Sequence, residues 1–529
     1  MAVRDPIREG LASGWKVTDA VTLERDLDLE TDVVVIGSGA GGGVTAEALT
    51  AAGLDVVIVE EGPLASSADF HMREREAYPQ LYQDSSARQT VDKSITILQG
   101  RCVGGGTTVN WTSSFRTPAR TLGYWKDAMG LKRTGMQDLD PWFARMEERL
   151  SMAPWGMPPN ENNDILRRGC AKLGYSHGAI ARNVKGCANL GYCGMGCPLN
   201  AKQSMLVTTI PAAMSRGARL IQRARVMRLV IEGDRVVACE AAGVASNGAR
   251  PSATRIQIRA RHYVLAAGGI GSPAILIRSN APDPIGLVGR RTFLHPTVIS
   301  AAIMPQRVDG HAGAPQSIYS DHFLDNAPLD GPAGFKLESG PTHPVLVGIT
   351  LPGFGEDHAA WMKKFPNVQV VIALLRDGFH RESRGGRVTL ANDGTPVLDY
   401  SMPAYLWEGV RRSYLAMAEI QFAAGAQSVM PVHENAKGYT SLKEAREAIA
   451  ALPMKALAAR VVSAHVMGGC PMGPDSSGAV VDEDGRHHLL RNVSIHDGSV
   501  FPTSIAANPQ LSIYALSARS SAALAKSLR

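Results

Sequence analysis

Cys187, Cys193 and Cys197 fall within eleven residues, and Pro198 follows the last of them. The linking residues are small or turn-forming, Ala188 to Tyr192 and then Gly194-Met195-Gly196, so the segment can fold around a compact object. Thiolates are the usual ligands of iron–sulfur clusters, although this spacing is not a common ferredoxin pattern. Zinc would need a fourth ligand, which His177 offers. A disulfide, or three free thiols, is the third reading. Cys170 is the nearest further thiol, seventeen residues upstream of Cys187. Cys102, Cys239 and Cys470 suggest no cluster ligand. The chain has fourteen histidines, too many for the residue type alone to mark a catalytic group.

The run Gly37-Ser38-Gly39-Ala40-Gly41-Gly42 carries a different chemistry. Asp32 to Ile36 is a β-branched stretch that fits a buried parallel strand. Val44 to Ala52 reads as a helix ended by Gly53, and Val56 to Val59 as a second strand leading into Glu60. Together these form a strand, glycine turn, helix, strand and acid, which is a dinucleotide-binding unit. Gly37 allows the tight turn, Gly39 lets a pyrophosphate approach the backbone at a helix N-terminus, and Gly42 permits close helix–strand packing. Glu60 stands where a carboxylate would bind a ribose hydroxyl.

A second glycine loop runs from Gln99 to Asn110. Gly100-Arg101, Gly105-Gly106, Thr107-Thr108 and Asn110 resemble a stretch that runs along the flavin in the glucose-methanol-choline (GMC) oxidoreductase family, with threonines replacing two serines. Tyr263 to Pro273 and Asn492 to Pro502 resemble two further family blocks. All the blocks occur in family order, so the resemblance covers nearly the whole chain. It implies an FAD enzyme that removes hydride from an alcohol, with Arg101, Gly105, Gly106, Thr107, Asn110, Val226, Asp497 and Gly498 joining Gly37, Gly39, Gly42 and Glu60 around the cofactor. Ser463 to Cys470 resembles the stretch that holds the family's catalytic histidine, and Asn508 falls where the family places its second active-site residue. The Asn508-Pro509 form looks most like the cholesterol oxidase branch. An amide can orient an alcohol but cannot take its proton, so His465 is expected to be the general base. His295 and His496 are read as structural. The cysteine spacing resembles the loop that holds a 3Fe–4S cluster in bacterial FAD-dependent glucose dehydrogenases. Gly196 to Ser204 also resembles the long-chain fatty alcohol oxidase branch. The cluster would pass electrons to a cytochrome or quinone-linked acceptor; without it, an oxygen-using oxidase or a lyase on the same fold is the alternative.

The elements that must position these groups give an α/β chain, α+β overall. A Rossmann-like FAD-binding domain is expected over 1–115, 205–299 and 456–529. Residues 116–204 connect its first two parts and carry the cysteine loop. A substrate domain built on an antiparallel sheet is expected over 300–455, with strands at Val368 to Leu375 and in a hairpin, Arg387 to Leu390 with Pro396 to Tyr400, turned by Asn392-Asp393-Gly394. Residues 153–164 read as a surface loop. At 529 residues the chain is long enough for two large cores. Its net charge of +6 is small for that length, and no basic stripe interleaved with aromatics marks a nucleic-acid partner. No window approaches the roughly 18 apolar residues that span a bilayer. No signal peptide is read at the N-terminus, so the default expectation is the cytoplasm, with peripheral membrane association or co-export beside a partner as variants. The expected partner is a small, apolar alcohol.

Overall fold

The computed structural model describes residues 3–245 and 251–529. Val33, Val34 and Val35 are fully buried in the strand Leu27–Ile36, as a β-branched run in a sheet covered on both faces should be. That strand lies between two parallel neighbours, Val56–Val59 and the long strand Pro251–Leu265. Arg219–Gln222 and Val493–Ile495 extend the parallel set. Ala224–Glu232 and Arg235–Val244 form an antiparallel flap on the outer half of Pro251–Leu265. The register pairs Ile36 with both Val59 and Leu265, so the loops after these strands emerge side by side. The helix Ala40–Ala51 follows the first of these loops and packs on the C-terminal helix Gln510–Leu528.

The second large sheet is mainly antiparallel. Its order is Ile95–Ile97, Val461–Ser463, Thr297–Ile303, Val368–Leu375, Phe335–Ser339, Ile318–Ser320 and Gly178–Ala179, with Ser428–Pro431 added to Thr297–Ile303. Strands from distant parts of the sequence thus share one sheet. The expected hairpin forms, pairing Gly386–Leu390 with Pro396–Asp399. Its turn has Gly394 at φ +80° and the Asp393 carboxylate accepting from Thr395 N at 2.9 Å. It belongs to neither large sheet. It joins Arg290–Leu294 and Val466–Gly468 in a four-stranded sheet, because Val388 and Leu398 bury against Ile270 and Ala274 of the helix Gly268–Arg278. The expected loop at 153–164 is shorter than read: Asn160 caps the helix Glu161–Leu173, its side chain accepting from Asn163 N at 3.1 Å.

Candidate active site

The mouths of the parallel strands and the inner face of the antiparallel sheet enclose a cavity of about 700 Å³. Its nucleotide end is built from the first glycine turn. Gly37 sits at φ +98°, where a Cβ would lie 2.4 Å from the Ala266 carbonyl oxygen. Gly42 has no room for a side chain, since a Cβ would come 1.9 Å from Gly37 O. Gly39 differs: the nearest atom to its missing Cβ is Gly105 Cα at 3.8 Å, so its backbone is open to the cavity it lines. Gly39 caps the helix Ala40–Ala51 without a side-chain hydrogen bond, and Ala40 and Gly41 also line the wall. Glu60 ends its strand in the same wall. Its Oε2 accepts from Ser38 N at 2.9 Å and Ser38 Oγ at 2.7 Å, and its Oε1 from Gly62 N at 2.8 Å. Burial still raises its pKa above the ordinary carboxylate value. An uncapped helix N-terminus, a fixed carboxylate and two touching glycine loops fit a dinucleotide.

Gly105, Gly106, Thr107, Asn110, Val226, Asp497 and Gly498 all line the same cavity. Thr107 has its hydroxyl engaged, donating to Gly104 O at 2.6 Å and accepting from Met205 N at 3.0 Å. Asn110 Nδ2 donates to Gln510 Oε1 at 2.7 Å. Asp497 accepts from Gly268 N at 2.8 Å and Ser499 N at 2.8 Å, tying the last family block to the helix after the central strand. Arg101 is placed differently from the expectation. It is buried behind the wall, with Nε donating to Glu61 Oε1 at 3.0 Å and Nη2 to Ala245 O at 3.1 Å. It supports Glu61, which does line the cavity.

His465 and Asn508 line the same cavity, and His295 links their segments by touching His465 and Ala506. They arrive from different strand and loop segments, one beside Val466–Gly468 and the other just before the helix Gln510–Leu528. His465 Nδ1 lies 3.0 Å from His295 Nδ1, which leaves Nε2 for a ligand. Ala506 N donates to His295 Nε2 at 3.2 Å, from a backbone held at φ +63° in the left-handed region that alanine rarely adopts. Burial lowers the His465 pKa to about 4 and that of His295 well below the usual value. His465 is therefore a neutral imidazole at neutral pH. Asn508 is buried. Its Nδ2 points to Glu338 Oε2 at 3.5 Å, and its Oδ1 has no protein partner. Burial lifts the Glu338 carboxyl to about 7. The remaining wall is aliphatic, with Ile299, Val347, Leu351, Val370, Ile372 and Leu374 from the sheet and an overlying helix.

Residues 78–297 and 381–517 match two family models, both described as GMC oxidoreductase. A GMC-type oxidoreductase of Mycobacterium tuberculosis is 30% identical over 92% of this chain and 74% of its own length. This chain belongs to the GMC oxidoreductase family. A long-chain-alcohol oxidase of Arabidopsis thaliana is 28% identical over 92% of the chain and 66% of its own length. Pyridoxine 4-oxidase from Mesorbium loti superposes with a TM-score of 0.68 at 17% identity, covering 93% of this chain and 99% of that one, a likeness of fold. This GMC oxidoreductase has the FAD-binding, Rossmann-like fold of such flavoenzymes.

The cysteine loop of this GMC oxidoreductase abuts the second glycine loop. Lys202, fully enclosed, donates to Thr108 O at 2.7 Å, Asn110 O at 2.8 Å and Cys193 O at 2.6 Å, and burial lowers its pKa to about 8. Arg182 Nη2 lies 3.4 Å from Cys193 Sγ, and its buried Nη1 has no partner. One cation thus touches the Cys193 thiol and the other its carbonyl, while burial pushes the Cys187 thiol up. None of the seven cysteines is paired. Among the described residues no group of three or more His, Cys, Asp and Glu side chains converges on one metal position, so the thiols as placed do not form a ligand set. His177, the fourth ligand considered for zinc, is exposed and faces Tyr175 O at 3.2 Å. His496 is buried on Thr45 Oγ1 at 2.9 Å, in a structural role.

Sequence reasoning missed Glu338 and Gln510, and it read His295 as structural although that ring lies against His465. His295 lies in the short link between the strands Arg290–Leu294 and Thr297–Ile303, and Glu338 in the strand Phe335–Ser339, outside the family blocks; they become neighbours of His465 and Asn508 only when these strands pair. Gln510 had a signal, since it follows Asn508-Pro509. Its amide joins Ser113 O, Ser114 Oγ and Asn183 Oδ1 to Asn110, fixing the loop beside the flavin stretch.

Proposed function

We propose that this chain oxidises an apolar primary or secondary alcohol to the aldehyde or ketone. The observation that carries this reading is that His465 and Asn508 share one cavity with both glycine loops, beneath an aliphatic wall. FAD bound there would supply the hydride acceptor. The amides around Gly39 to Gly41 would face its phosphates and Glu60 its ribose. The aliphatic wall excludes water and favours an alcohol with an apolar body.

The hydrogen bonds around His465 define how it acts. While Ala506 N donates to His295 Nε2, the His295 proton sits on Nδ1 and is given to His465 Nδ1. His465 then carries its own proton on Nε2 and donates to the alcohol oxygen. It becomes the base when the pair exchanges tautomers: Nδ1–H of His465 faces His295, and the Nε2 lone pair faces the alcohol. This exchange breaks the Ala506 contact and turns two N–H groups toward each other there, a cost of about 1–3 kcal/mol for the unpaired buried donor. Asn508 responds to Glu338 in the same way. An ionised Glu338 draws Nδ2 toward itself, whereas a protonated one donates to Oδ1 and turns Nδ2 to the substrate oxygen. With the Glu338 carboxyl at about 7, both forms are populated near neutral pH.

Anaerobic addition of a panel of alcohols to the FAD-loaded protein tests the reading. Aliphatic and sterol-like alcohols are expected to bleach the flavin band, and sugars to leave it unchanged. A flavin that stays oxidised while an alcohol is consumed would indicate a lyase and overturn the assignment.

We further propose a cytochrome or quinone-linked electron acceptor, with Cys187, Cys193 and Cys197 as the residues that would hold a 3Fe–4S cluster, which requires the three thiols to close from their present placement onto one position. Supporting this are the three thiols, the two cations beside them and the contact of that loop with the flavin stretch. Protein purified without air should then contain about three irons per flavin and absorb beyond the flavin bands. Flavin without iron, reoxidised quickly by oxygen to give peroxide, would make the enzyme an oxidase instead.

A further inference from the structure

Over the cavity lies the short helix Pro344–Thr350, whose two faces do different work. Val347 and Leu351, one turn apart, are buried against Ile299 and Val370 of the sheet. Leu346 and Thr350 also line the cavity. On the opposite face Val345 and Ile349, again one turn apart, are 48% and 63% exposed. Phe354, in the turn that follows, is 91% exposed. Phe354, held almost wholly in water five residues after Ile349, adds a third exposed apolar side chain to this stretch of chain, the apolar tip, in contrast to isolated surface hydrophobics.

The surroundings of the tip indicate what covers it. The buried Glu74 carboxylate accepts from Val345 N at 2.7 Å and Leu346 N at 2.9 Å, which fixes the segment 71–75 against the start of the helix. That segment presents Met72, 39% exposed, between His71 and Arg73, with Arg75 beyond. Glu76 is the acid that faces these three basic side chains. On the other side His358 meets Gly348 O at 2.9 Å, docking the helix Gly355–Lys363 beside the tip. This helix opens with Glu356 and Asp357 and ends at exposed Lys363 and Lys364. Arg73 and Arg75 thus stand on one side of the apolar residues, while on the other Glu356 and Asp357 are offset by Lys363 and Lys364 at the far end of their helix; cations beside exposed apolar side chains are the pattern of a surface that seats its apolar residues in a bilayer and its cations at lipid phosphates. No helix among the described residues is long and apolar enough to cross a membrane, so contact of this kind is with the surface.

We propose that the tip formed by Val345, Ile349 and Phe354 docks this enzyme on an anionic phospholipid bilayer. Its inner face is the cavity wall, so docking sets the apolar cavity against the lipid and lets a lipid-dissolved alcohol pass under the helix without crossing water. The delivery step rests on the alcohol reading of the cavity; the docking itself does not.

The test is flotation of the FAD-loaded protein with phosphatidylcholine vesicles, with and without one quarter phosphatidylglycerol. The wild type is expected to float with the mixed vesicles and more weakly with phosphatidylcholine alone. An Ile349→Asp/Phe354→Asp variant should lose about tenfold or more in vesicle affinity, since two inserted apolar side chains are replaced by charges. Arg73→Gln/Arg75→Gln should lose the preference for phosphatidylglycerol. Neither pair lines the cavity, so the flavin spectrum and the reduction rate with a short, water-soluble alcohol should be unchanged. Wild-type protein that stays unbound, or an Asp variant that floats equally well, overturns the proposal. So does a wild-type dimer that the Asp variant converts to monomer, because the tip would then be a self-association face. Flotation needs no turnover, so failure to dock and failure to oxidise alcohols are separate results.

Discussion

Replacing His465 with alanine is expected to slow flavin reduction by an alcohol about 10²–10⁴-fold, the range for loss of a positioned general base. At about 1.4 kcal/mol per tenfold, this is roughly 3–5 kcal/mol of transition-state stabilisation. FAD binding should survive, because no contact at the nucleotide end depends on this ring. The pH dependence gives an independent signature. Burial holds the imidazole at about 4, so it is neutral and able to accept a proton above that pH and is lost as a base below it. The acid limb of kcat/KM in the wild type should therefore lie near 4, not near the 6.5 of an ordinary histidine, and should vanish in His465→Ala. Rapid-reaction measurement of flavin bleaching across this pH range checks both statements. Unchanged reduction in the variant, or an acid limb that persists in it, would remove His465 from the base role and direct attention to Glu338, a buried carboxyl beside Asn508.

The parts of the site that lie on contiguous sequence were legible before any coordinates. Gly37, Gly39, Gly42 and Glu60 belong to one strand–turn–helix–strand unit, so local pattern alone places them, and the parallel register of Leu27–Ile36 with Val56–Val59 follows from the same pattern. His465 and Asn508 were legible only through resemblance, since nothing local distinguishes one histidine among fourteen. What sequence did not convey is pairing between distant strands. The 386–399 hairpin was visible from its turn, but its partners Arg290–Leu294 and Val466–Gly468 carry no local mark of that association. The His295–His465 contact has the same cause, as these residues flank the paired Leu294 and Val466 and lie 170 residues apart in sequence. Arg101 shows the converse limit. A family block fixed its neighbourhood, but an acid at the next position after Glu60 drew its guanidinium behind the wall.

The glycine turn separates folding from cofactor binding in a way that two single-methyl changes should resolve. Gly41→Ala would put a Cβ 1.5 Å from the His496 carbonyl oxygen, a backbone atom of the strand end that carries Asp497 and Gly498. Relief requires the helix Ala40–Ala51 to move away from that segment and from Gln510–Leu528. Over-packing of this kind costs about 1–3 kcal/mol and more when backbone must shift, a large part of the roughly 5–15 kcal/mol that stabilises a folded protein. Gly41→Ala is therefore expected to purify without flavin and to unfold at lower urea concentration than the wild type. Gly39→Ala meets no atom nearer than 3.8 Å, so its fold and urea midpoint should be preserved. Its methyl would instead enter the cavity at the helix N-terminus, where a pyrophosphate needs bare backbone, and should weaken FAD binding about tenfold or more. Flavin titration of the two apoproteins, read beside their urea curves, distinguishes the effects. If Gly39→Ala binds FAD as tightly as wild type, the pyrophosphate does not sit at this helix N-terminus. If Gly41→Ala keeps both flavin and stability, the close packing of helix and strand end is not what holds the two halves of the cofactor site together.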